Sequence, residues 1–126
     1  MKRLRIEAKS GASFQRVFIG EEINTKNIFE RIDTMMAFSD GFIALQGGTG
    51  TLLELAAILE HINKGMMQPK PVIAVGRYWK GVVDSISGED VLDENARSRF
   101  KIKKCSELVV FAKDVDEAVK EMLSRI

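Results

Sequence analysis

The sequence predicts an α/β fold: a parallel sheet of about four or five strands covered by helices on both faces. Three observations lead there. Short apolar runs alternate along the chain with segments of helical periodicity. Two of these runs, Gly41–Leu45 and Lys70–Gly76, are continuously apolar at their centres, the pattern of strands buried on both faces. A glycine-rich loop joins the first of them to the clearest helical segment in the chain.

Taken in order, "RVFIGEEI" (Arg16–Ile23) reads as a strand whose apolar centre is closed by Gly20. "NTKNIFERIDTMMAF" follows as a helix, with Asn24 or Thr25 as its cap and Ile28, Ile32, Met35 and Met36 at helical spacing. Asp40-Gly41 breaks it, and "GFIAL" is the next strand. "TLLELAAILEHINKG" is a helix with Leu52, Leu55, Ala56, Leu59 and Ile62 on its apolar stripe and Gly65 at its end. "KPVIAVG" is a third strand, and "YWKGVVDSIS" a short helix. "GEDVLDENARSRFKIKKC" is a polar surface helix or loop. "ELVVFA" (Glu107–Ala112) is a fourth strand, and "DVDEAVKEMLSRI" a terminal helix capped by aspartate. No repeat or linker divides the chain, so residues 1–126 form a single domain.

Bulk composition excludes several function classes. With 19 Lys+Arg against 18 Asp+Glu, the formal net charge is +1, which gives no electrostatic case for nucleic acid or an anionic membrane as the main partner. The one cysteine, Cys105, cannot form an intrachain disulfide and suits a reducing compartment. The one histidine, His61, has no Cys/His cluster around it in sequence, so no zinc site or other metal is expected. No apolar run approaches membrane-spanning length, and the basic N-terminus lacks the apolar core of a secretion signal. The expected location is cytoplasmic.

The candidate site is the loop inside "ALQGGTGTLLELA". In an open parallel sheet, ligands bind at the carboxyl ends of the strands. Gly47, Gly48, Thr49, Gly50 and Thr51 stand at such an end and lead into a helix N-terminus. That terminus offers unpaired N–H groups and partial positive charge, glycines admit close approach of an anion, and the two threonines add hydroxyl donors. The pattern is that of a phosphate or carboxylate cradle. The alternative is a tight strand-to-helix turn and nothing more. No GK[ST] follows the loop, so it is not a Walker loop, and its spacing is not G-x-G-x-x-G.

"SDGFIALQGGTGTLLELA" resembles the P-G-G-x-G-T-x-x-E signature of the LOG ("lonely guy") proteins, often described as lysine decarboxylases. Ser39, Asp40, Gly47, Gly48, Gly50, Thr51 and Glu54 match it. Glu30, Arg31 and Met35 match the family's E-R-K-x-x-M segment, and "KPVIAVGRYWKGVVDSI" is similar to its next strand and aromatic helix. The resemblance runs from about Phe18 onward. It implies a Rossmann-like fold, a homodimer or higher homo-oligomer, and hydrolysis of the N-glycosidic bond of a nucleoside 5′-monophosphate to free base and ribose 5-phosphate. It also implies that Gly47, Gly48, Thr49, Gly50 and Thr51 hold the phosphate, that Arg31 and Glu54 are the catalytic pair, and that no cofactor is needed. Gln46 replaces the family's proline and Ile32 its lysine. Met1–Gln15 is too short to hold the strand–loop–helix unit that opens family members, which predicts an N-terminally short domain. No pyridoxal site is recognisable, so decarboxylase-type amine chemistry is not expected.

Plainer readings stand beside these. By position alone, Glu54 is a solvated acid favouring the helix dipole, and Arg31 an exposed residue pairing with Glu30 or Asp33. His61 reads as a helix-surface residue, Met35 and Met36 as core filler, and Cys105 as inert. Tyr78 and Trp79 either line a pocket or anchor the next helix. The basic run "RSRFKIKK" (Arg97–Lys104) is a solvated surface by default. Two other functions fit the same residues: a non-catalytic carrier of a nucleotide or phosphorylated cofactor, and a structural subunit or fragment whose sheet edge pairs with another copy.

Overall fold

The computed structural model describes residues 25–87 and 105–126. Helix α1 spans Ile28–Phe38. Its cap is Asn27, later than either expected residue, because the Asn27 Oδ1 accepts the Glu30 amide at 2.9 Å. Ile32, Met35 and Met36 are buried at i, i+3 and i+4, whereas Ile28 faces outward. The helix stops at Ser39, whose extended backbone carries the chain into strand β1, Phe42–Ala44.

Helix α2 (Thr49–Asn63) follows the glycine loop and ends at Lys64, with Gly65 at φ 69° just beyond. Its buried residues are Glu54, Leu55, Ile58, Leu59 and Ile62. The expected stripe therefore rotates: Leu52 and Ala56 are exposed, and Glu54 and Ile58 take their places against the core. Strand β2 (Val72–Val75), helix α3 (Lys80–Ser87), a 3-10 turn (Cys105–Leu108), strand β3 (Val109–Ala112) and helix α4 (Val115–Arg125) complete the described elements. Asp114 caps α4 by accepting the Glu117 amide at 2.8 Å.

The strands pair in parallel in the order β1-β2-β3, with Ile43 opposite Ile73 and Ile73 opposite Val110. Among the described residues the sheet has three strands, not four or five. The strand expected at Arg16–Ile23 lies outside the described residues, and Glu107 and Leu108 belong to the turn that precedes β3. The segment 88–104, with its basic run, also lies outside them.

Pleating sends alternate strand residues to opposite faces. Phe42, Ala44, Val72, Ala74 and Val109 pack with Ile32, Met35 and Met36 of α1, with the buried face of α2, and with Trp79 and Val83. Ile43, Ile73 and Ala112 pack on the other face with Ala118 and Met122 of α4. The fold is thus α/β and Rossmann-like, with helices on both faces of a parallel sheet. Gly41 is required by this packing. A Cβ there would run into the Met122 thioether and approach the Pro71 carbonyl to 3.2 Å. Among the described residues, no helix is long and apolar enough to cross a membrane.

Candidate functional site

Parallel pairing places the exits of β1 and β2 at one end of the sheet. From β1 the chain passes through Leu45, Gln46 and Gly47 to Gly48, the N-cap of α2. No side chain caps this helix start. The Leu52 amide donates to the Gly48 carbonyl at 3.1 Å, which closes the first turn. The amides of Thr49, Gly50 and Thr51 therefore lie ahead of the helical hydrogen-bond ladder and carry the positive end of the helix dipole.

The two leading glycines have different reasons. A Cβ on Gly47 would collide with the Thr51 hydroxyl and come within 3.1 Å of the Thr51 Cβ, so Gly47 lets the loop fold onto its own helix. A Cβ on Gly48 would meet nothing within 4 Å, and its φ of −102° does not demand glycine. The space in front of Gly48 is open to solvent, as access to an anion cradle requires.

Glu54 lies further along α2 on its inward side and is only 8% exposed. Arg31 reaches it from α1: Nη2 donates to the Glu54 Oε1 at 2.5 Å. The Arg31 side chain retains 32% of its exposure, so the guanidinium bridges solvent and the buried carboxylate. The partners suggested for Arg31 by proximity in sequence, Glu30 and Asp33, are both exposed, and the carboxylate it meets is the distant Glu54. A small cavity of about 40 Å³ adjoins Glu54 and is also lined by Thr51, Leu45, Met35 and Ile58. Met35, read from the sequence as core filler, is therefore both core and cavity wall.

Tyr78 and Trp79 divide the two roles offered to them. Trp79 is buried in the core, and its indole Nε1 donates to the Leu45 carbonyl at 2.8 Å. It ties the exit of β2 to the segment that feeds the glycine loop, a link that sequence spacing did not show. Tyr78 remains 49% exposed. His61 bonds back to the Ala57 carbonyl at 2.7 Å within its own helix, two turns beyond Glu54. Cys105 falls in the 3-10 turn before β3.

The structure thus gathers Arg31, Glu54 and the Gly47–Thr51 loop around the entry to one helix. The arrangement offers donors for an anion at the helix start and, further along, a carboxylate held in place by a guanidinium.

Residues 5–122 match the family described as possible lysine decarboxylase, a span that includes Arg31, the glycine loop and Glu54. No curated protein matches the chain. The family match covers most of the chain and the fold is the α/β sheet the family resemblance implies, so this protein belongs to the possible lysine decarboxylase, or LOG, family.

Proposed function

We propose that this protein binds a nucleoside 5′-monophosphate and hydrolyses its N-glycosidic bond, releasing free base and ribose 5-phosphate. The observation that carries this reading is the Arg31–Glu54 pair, formed on the helix whose N-terminus is the glycine loop. Glu54 lies five residues after Thr49, about 7.5 Å along the helix axis. A phosphate on the loop amides would leave the sugar reaching along α2 toward the carboxylate.

The chemistry follows from the groups. The C1′–N bond breaks with its electron pair going to the base, and the ribose develops oxocarbenium-like charge at C1′. A carboxylate is the usual stabiliser of such a cation. Water then forms the new C1′–O bond; its proton passes to Glu54 and on to the departing base. Arg31 holds the carboxylate in a fixed orientation, so little reorganisation is needed at the moment of reaction. Gly48 leaves room for the phosphate, and the loop supplies its donors. The residues suffice for this scheme without a cofactor.

A cytoplasmic homodimer belongs to the same proposal. Phe29 and Phe38, 73% and 57% exposed on α1, supply apolar surface for a second copy, and sedimentation of the purified protein tests it.

The deciding experiment is calorimetry of the protein with AMP, followed by chromatography of the same mixture. Binding with release of adenine is the expected result. Binding without release would replace the hydrolase by a nucleotide carrier, and absence of binding would overturn the site.

A further inference from the structure

We infer that Tyr78, beside the glycine loop, is the ring on which the flat base of the nucleotide stacks, so that it sets the preference for a nucleotide over a bare sugar phosphate. This rests on the nucleotide reading above and adds the part of the site that holds the base.

The placement comes from the sheet. β1 and β2 are adjacent and parallel, so the loop after β2 lies beside the glycine loop after β1. Gly76, at φ 74°, turns the chain as it leaves β2, and its amide is fixed to the Ala112 carbonyl at 2.6 Å. Two aromatic residues follow within that turn. Trp79 goes inward, 3% exposed, and its indole reaches across to the Leu45 carbonyl, two residues before Gly47. Tyr78 stays out and packs edge-to-face on that same indole, with ring centroids 4.9 Å apart and an interplanar angle of 85°. One contact and one hydrogen bond therefore connect the exposed ring to the strand exit that carries the anion loop.

The arrangement suits stacking for two reasons. An aromatic face accepts any flat base and is worth about 1–3 kcal/mol per base by alanine substitution, or roughly fivefold to more than a hundredfold in affinity. A ring already braced on a buried, hydrogen-bonded indole also loses little freedom on binding. If Tyr78 served only to cover Trp79, its removal would lower stability and would not separate one ligand from another.

The test is calorimetry with AMP and with ribose 5-phosphate on the wild-type protein, Tyr78→Ala and Tyr78→Phe. The wild type is expected to bind AMP at least about fivefold more tightly than ribose 5-phosphate. Tyr78→Ala should remove that advantage and leave ribose 5-phosphate unchanged, and Tyr78→Phe should restore it. Should the alanine variant fail to fold, Tyr78→Leu, which keeps bulk without an aromatic face, gives the same comparison. An AMP advantage that survives loss of the ring, or an equal loss for both ligands, overturns the stacking role and leaves the nucleotide site standing. If the wild type binds neither ligand, the nucleotide reading falls and this inference with it.

Discussion

Arg31 and Glu54 stand 23 positions apart in the chain, yet the Arg31 guanidinium donates to the Glu54 carboxylate at 2.5 Å where α1 packs beside α2. A carboxylate this buried needs such a partner, and the partner fixes which way it points. The pair therefore joins packing to chemistry.

Glu54→Gln keeps the shape and one acceptor for Arg31 but removes the negative charge. Release of adenine from AMP should fall roughly 10²–10⁴-fold, the range ascribed to a positioned acid–base group. Calorimetric affinity for AMP should change little. Undiminished hydrolysis in this variant would remove Glu54 from the mechanism.

Arg31→Lys preserves the charge and loses the planar fork. The expected outcome is a lower kcat, by about tenfold or more through misorientation of Glu54, with a smaller change in KM. Steady-state kinetics separates the two, and a change confined to KM would make Arg31 a binding residue only.

The two loop glycines should respond in opposite ways. The Cβ that Gly48→Val adds meets nothing within 4 Å, so thermal stability should fall only by the poorer N-cap, about 1 kcal/mol, while AMP binding is lost. Gly47→Ala collides with Thr51 and should cost about 1–3 kcal/mol in urea denaturation. Adding Thr51→Ala to Gly47→Ala should recover part of that loss, the non-additivity expected of residues in contact. Equal stability losses at both glycines would contradict the geometry.

Gly41→Ala tests the fold apart from the site. The new methyl group would displace the buried Met122 side chain on the far face of the sheet. Urea denaturation should show a loss of about 1–3 kcal/mol, with AMP affinity of the folded protein unchanged.

Trp79→Phe removes the indole donor and leaves the Leu45 carbonyl without it. A loss of about 1 kcal/mol is expected for a hydrogen bond lost at this half-buried carbonyl. AMP affinity should fall as well, because Leu45 feeds the glycine loop. Intact affinity would show that the loop does not depend on the Trp79 tie.

Local order is what a sequence states most directly. The strand periods of "GFIAL" and "KPVIAVG", the helical spacing after Asn27, the Asp114 cap and the Gly65 stop are each set by residues within a few positions of one another. The parallel α/β class follows from their alternation, and the glycine loop with the acid behind it is visible as a motif. Contacts between distant segments have no such local signature. Only the tertiary structure turned the face of α2 so that Glu54 and Ile58 are inside while Leu52 and Ala56 are outside. It also paired Arg31 with Glu54 rather than with a helical neighbour, seated Met122 against Gly41, and carried the Trp79 indole to Leu45. The physical reason is that burial and pairing depend on what the sheet and the neighbouring helices bring to each side chain, and that is decided only when the layers close on one another.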